Sequence, residues 1–160
     1  MSVSSTTVTT TVRASAAAAM NHVAPVDLTT IFTGYGPLPA VSATARQTGP
    51  WSSAGQSRVV TFSDGSTVRE SLTAYTPARS FSYRITELTG TLQLLARELR
   101  GEWQFESQDG NGTTISWRYD FVPRNALIAP LVHVLVRTLW RGYMRRALRL
   151  WKAQFEPSAM

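Results

Sequence analysis

Apolar and polar positions alternate with period two along most of this chain, and the period becomes helical only near its end. "TTVTTTVRA" alternates β-branched residues and predicts a first strand over 6–13. "SAAAAMNHV" reads as a short helix with Ser15 as its N-cap, stopped by Pro25. Asp27 can cap a second short helix, "LTTIF", before "TGYGPLP" breaks the chain. From there to Pro123 the signals are strands and turns. "VSATARQTG" and "QSRVVTFS" are strands, and Asp64 with Gly65 marks a hairpin. "STVRESLTAY" returns, "TPA" turns again, and "RSFSYRITEL" follows. "ELRGEWQFES" and "TTISWRYDFV" flank the turn "QDGNG". If that turn centres on Gly110, Trp103 faces Trp117 and Phe105 faces Ile115. A two-residue turn at Asn111 and Gly112 would pair Trp103 with Asp120 and mix the faces, so phase favours the longer turn.

Beyond Pro123 the pattern predicts one long helix over 125–155. Ile128, Leu131, Val132, Leu135, Leu139 and Tyr143 share a face, and Arg137, Arg141, Arg145 and Arg149 recur on the opposite one. An antiparallel sheet with one apolar face needs a cover, and only this helix is large enough, so the sheet must curl round it. At 160 residues the chain reads as one domain over 1–160 with short flexible tails.

The sheet's apolar face is crowded with aromatics: Phe81, Tyr83, Trp103, Phe105, Trp117, Tyr119 and Phe121. Bulky packing alone accounts for such a set. Three features point further. Buried phenol and indole groups need hydrogen-bond partners; Gly101 leaves space in mid-strand; and polar groups converge on the same interior. Glu70 lies in phase with Val68 and Leu72. A two-residue turn at Asp64 and Gly65 would set it on the side of Val59 and Thr61, whereas a one-residue bulge would group it with Val60 and Phe62. Arg146 falls on the face of Leu135, Leu139 and Tyr143 at 3.6 residues per turn. The two either pair, or meet the polar end of a ligand; the alternative for Arg146 is to snorkel out at the helix end.

Composition narrows the chemistry. There is no cysteine, which excludes disulfides and thiolate ligands, and only two histidines, so no metal site and no cofactor are expected. His133 lies close to the arginine side of the last helix, and His22 follows the Ala-rich helix; both read as surface or capping residues. The net charge of +6 comes from 15 arginines and one lysine. The arginines are scattered and no nucleic-acid motif accompanies them, so nucleic acid is not an expected partner. The N-terminus lacks a signal-peptide pattern, and no apolar run approaches the ~20 residues of a membrane span. The expected location is cytoplasmic.

The segment "GQSRVVTFSDGSTVRESLTAYTPARSFSYRI", residues 55–85, resembles the START-related SRPBCC superfamily, which includes polyketide cyclases and dehydrases, plant pathogenesis-related allergens and abscisic-acid receptors. The resemblance lies in its G-x-x-R, hairpin, x-E-x-L, P-x-R and Y-x-I run. It implies an α+β helix-grip fold: about seven strongly bent strands around the long C-terminal helix, with two short helices between the first two strands. It also implies a cavity for an apolar, lipid- or polyketide-like molecule, with a carboxylate at Glu70 facing inward. The expected ligand contacts are then Glu70, Phe81, Tyr83, Trp103, Phe105, Trp117, Tyr119, Leu135, Leu139 and Arg146. A second reading is a cyclase/dehydratase-like enzyme with Glu70 as general acid/base and Tyr83 and Tyr119 donating to an enolate oxygen. A third is a protein- or membrane-interaction module working through the basic helix. A homodimer stays open.

Overall fold

The chain runs through β1 (Ser4–Val12), α1 (Ala16–Val23), a 3-10 turn (Leu28–Thr30), β2 (Val41–Ala45), β3 (Ser57–Phe62), β4 (Thr67–Thr76) and β5 (Ser80–Thr86). Then follow α2 (Gly90–Leu95), β6 (Ala96–Ser107), β7 (Thr113–Pro123) and a C-terminal helix. That helix comprises α3 (Ala129–Leu135), a π-helical turn (Val136–Trp140) and α4 (Arg141–Phe155). The computed structural model describes residues 3–110 and 112–156. Asn111 of the expected "QDGNG" turn and the tail residues 1–2 and 157–160 lie outside them. The seven strands form one bent antiparallel sheet in the order β1-β7-β6-β5-β4-β3-β2, the helix-grip arrangement the resemblance implies.

The caps fall where the sequence places them. Ser15 accepts from the Ala18 amide (3.1 Å) and Asp27 from the Thr29 amide (3.0 Å). In the β6–β7 hairpin Trp103 sits opposite Trp117 and Phe105 opposite Ile115, so keeping both apolar faces intact did select the longer turn. In the β3–β4 hairpin Val60 pairs with Val68 and Arg58 with Glu70. The Phe62 amide donates to the Ser66 carbonyl at 2.8 Å, closing a three-residue loop in which Gly65 takes φ of 87°. A left-handed third loop residue is what this hairpin class requires. Of the two registers open to Glu70, the one that groups it with Val60 is present.

Two expectations about helices need correcting. Residues 90–95, in a region where only strands and turns were expected, form α2; six residues between two strands are too few to display a helical period. The face of the C-terminal helix is also different. Leu131 is exposed, Leu135 and Leu139 are half-buried, and the buried stripe is Val132, Val136, Trp140, Tyr143, Met144, Ala147, Leu148 and Trp151. Val136, Trp140, Ala147 and Trp151, which lie outside the expected face, are core. The π-helical turn is the cause: its wider winding keeps residues spaced four apart, such as Val132, Val136 and Trp140, on one side.

The C-terminal helix runs alongside β1 from end to end. Ser4 Oγ meets His133 Nδ1 at 3.5 Å, and the Arg13 amide donates to Glu156 Oε1 at 2.8 Å. At the other end of α1, Trp151 Nε1 donates to His22 Nδ1 at 3.0 Å, so His22 fastens α1 to the helix.

Candidate ligand site

Glu70 and Arg58 form the polar centre of the interior. Being cross-strand partners on the inward side, they need no long-range element to meet. Arg58 Nε and Nη2 donate to Glu70 Oε1 at 2.8 and 2.5 Å. Arg58 is 4% exposed and Glu70 7%. Trp51 is also buried and lies with its ring 4.0 Å beneath the guanidinium, an arrangement that favours the cation in low dielectric. The backbone of Trp51 is held at φ of 61°, a conformation a bulky residue adopts only under tertiary constraint. Both hydrogen bonds end on Oε1, which leaves Oε2 without a bond from Arg58.

Arg146 does not meet Glu70 and takes the outward alternative instead. It is exposed and donates from Nε to Thr33 Oγ1 at 3.0 Å. A helical wheel at 3.6 residues per turn, extended through a turn that is not so wound, misassigned its face. The signal for Arg58 was available in the sequence: with a three-residue loop at 63–65, position 58 falls opposite position 70.

Two inner cavities of about 30 Å³ each touch Glu70 and Tyr119. Each has room for about one water molecule. The deeper one also touches Arg58, Phe81, Tyr83, Trp103 and Trp117. Trp103 and Trp117 stack at 4.5 Å between centroids, and Trp117 Nε1 donates to Tyr83 Oη at 2.9 Å. The Tyr83 ring occupies the place of the side chain that Gly101 lacks. Burial, followed by the Glu70 carboxylate, pushes the Tyr83 phenol above its ordinary range; burial does the same to Tyr119. Both hydroxyls therefore stay protonated at neutral pH and are available as donors.

An outer pocket of about 260 Å³ opens between the loop carrying Pro37 and Pro39, the β3–β4 hairpin, α2 and the C-terminal helix, with Leu135 and Leu139 on its wall. Phe62, Leu92, Trp140 and Tyr143 line both this pocket and the nearer inner cavity, and so form the partition between them. Trp140 Nε1 is buried and has no hydrogen-bond partner among the described residues. Tyr143 Oη donates to the Pro39 carbonyl at 2.7 Å, and Tyr35 covers Gly142. These two contacts hold the loop on the helix.

The expected contact residues thus separate into groups. Glu70, Phe81, Tyr83, Trp103, Trp117 and Tyr119 surround the deeper inner cavity. Leu135 and Leu139 belong to the outer pocket. Phe105, stacked behind Trp103 at 6.3 Å, and Arg146 border none of the three cavities. The expected contacts did not include Arg58, Trp51, Trp140 or Leu92 and Leu95 of α2.

A model of the family described as polyketide cyclase/dehydrase and lipid transport matches residues 4–156. No protein of curated function matches the chain significantly. Among solved structures the chain is similar to norcoclaurine synthase from Thalictrum flavum, at 15% identity and a TM-score of 0.68, covering 97% of this chain and 88% of that one. It is similar also to major latex-like protein 151 from Panax ginseng, at 12% identity and 0.69, covering 96% and 97%. The di-domain ARO/CYC BexL from the BE-7585A biosynthetic pathway matches at 24% identity and 0.67, covering 96% of this chain and 50% of BexL. At these identities the likeness is one of fold.

Proposed function

Because this chain belongs to the polyketide cyclase/dehydrase and lipid transport family, we propose that it binds an apolar small molecule with a hydrogen-bonding end, lodged between the sheet and the C-terminal helix. The observation that carries this reading is the partition at Trp140. An indole N–H buried without a partner costs about 1–3 kcal/mol, and the residue that carries it here lines both an apolar outer pocket and a cavity touching Glu70. A ligand carrying an acceptor at that depth would satisfy it. The outer pocket, at about 260 Å³, falls just below the usual range for small-molecule sites, so it suits a molecule of two fused rings. Reaching Glu70 would require the partition to move.

The cyclase/dehydratase-like reading remains the alternative, supported by Glu70 Oε2, which Arg58 leaves unbonded, and by the protonated hydroxyls of Tyr83 and Tyr119. Binding is preferred because the chemistry-bearing groups line cavities too small for a substrate.

The test is native mass spectrometry of protein from its own host, followed by titration with naphthol and with naphthalene. A retained small molecule, or saturable naphthol binding abolished by Leu139→Trp, is the expected result. Absence of both overturns the reading. If Glu70→Gln abolishes turnover of a bound molecule while leaving its affinity within a few-fold, the enzyme reading prevails.

A further inference from the structure

An open groove of about 370 Å³ lies between β1 and α4, away from the apolar pocket. Its strand side is Thr7, Val8, Thr9 and Thr10, and its helix side is Arg141, Arg145, Leu148, Arg149 and Lys152, with Val8 and Leu148 buried at its floor. None of these cations is engaged in an ion pair among the described residues. β1 ends the sheet order, so the backbone along its outer edge has no strand partner among the described residues. Such an edge is a template for strand pairing.

Strand and cations share one direction and nearly one repeat. Contacts at both ends, Ser4 with His133 and Arg13 with Glu156, keep the helix beside β1 throughout. Residues four apart on a helix rise by about 6 Å, while alternate residues of an extended strand are about 6.6–6.8 Å apart. A peptide laid along β1 would therefore present every second side chain to successive arginines.

We propose that β1 and the basic face of the C-terminal helix form a docking groove for an extended acidic segment of a partner protein, which adds to the sheet as a further strand. Main-chain hydrogen bonds to β1 supply affinity, and carboxylates at alternate positions, paired with Arg141, Arg145 and Arg149, supply register. Among the described residues the groove holds no aromatic on which a base could stack, which disfavours single-stranded nucleic acid. Its lining offers no exposed apolar residue to enter a membrane.

The probe is a fluorescein-labelled peptide as long as β1, alternating glutamate with threonine, followed by anisotropy. Saturable binding is expected, weakened by about tenfold or more in Arg145→Gln/Arg149→Gln, with slowed amide exchange in β1. Methylating one alternate set of the peptide's backbone amides should abolish binding, and methylating the other set should not. Equal affinity for a peptide of the same composition with its glutamates in one block, or indifference to both methylations, overturns strand addition. Tighter binding of an oligothymidylate or of phosphatidylserine vesicles overturns the choice of partner. The groove shares no residue with the outer pocket, so naphthol binding by the double variant reports that the fold is intact and keeps the two proposals separable.

Discussion

Arg58 spends both of its hydrogen bonds to Glu70 on a single carboxylate oxygen. The pair is buried, and its partner in the third dimension is a tryptophan ring rather than a charge. This makes the inward carboxylate a structural element before it is anything else.

Removing one member should therefore be worse than removing both. Arg58→Met or Glu70→Met alone is expected to cost about 3–5 kcal/mol, because a buried charge loses its partner. The double variant Arg58→Met/Glu70→Met should recover most of that loss. Urea denaturation of the three proteins checks it; additive losses would mean that the pair is not coupled.

Gly101 is expected to be intolerant of any side chain. A methyl group there would collide with the Tyr83 ring, so Gly101→Ala should destabilise by about 1–3 kcal/mol, the cost of an overpacked site. Adding Tyr83→Ala to that variant should cost less than the two changes summed. Thermal melting of the cycle reads the coupling.

The two hairpin faces and the aromatic set were legible because a strand's period of two leaves few choices once one face must be apolar. Trp103 opposite Trp117 follows from phase alone. The hairpin at Asp64 and Gly65 was ambiguous by one residue, and that ambiguity concealed Arg58 as the partner of Glu70. Arg146 was misplaced for a different reason: sequence periodicity assumes uniform winding, and the π-helical turn breaks it. Trp51 carried no periodic signal at all, since it lies in an irregular segment and is positioned by the cation above it.

Alkaline pH should destabilise the fold through its phenols. Tyr83, Tyr119 and Tyr143 are each raised above the ordinary value of 10.0, in each case chiefly by burial. The unfolded chain then releases phenol protons that the folded chain retains, so unfolding gains as pH rises. The contribution is fully present below pH ~10 and is lost progressively above it. Urea midpoints across that range should fall, and should fall less in Tyr83→Phe. Tyrosinate absorbance should lag behind that of the denatured protein.

Loosening the loop over the helix should change kinetics more than stability. Tyr143→Phe removes the hydrogen bond to Pro39 at a net cost of about 1 kcal/mol. Stopped-flow fluorescence should show faster entry and faster escape of naphthol, with exchange of the amides at 34–40 accelerated. Unchanged rates would mean that the loop does not govern access.

Trp140 offers a sharper discrimination. Trp140→Phe removes the unpartnered indole N–H and should weaken a ligand bearing a ring carbonyl, such as tetralone, by about tenfold, while sparing naphthalene; a hydrogen bond of ordinary strength accounts for that difference. Calorimetric titration of both molecules measures it. Equal loss for the two would assign Trp140 to shape alone.

The π-helical turn sets two lengths of one helix out of step. Upstream lies Leu135 on the pocket wall; downstream lie the basic residues beside β1 and the packing of Met144 and Leu148. Deleting one residue from 136–140 would restore even winding with both lengths close to their present faces, because the wide turn already absorbs the roughly 100° that one residue adds. The turn thus holds one surplus residue, and the pocket wall upstream and the packed length downstream can keep their places whether or not it is present.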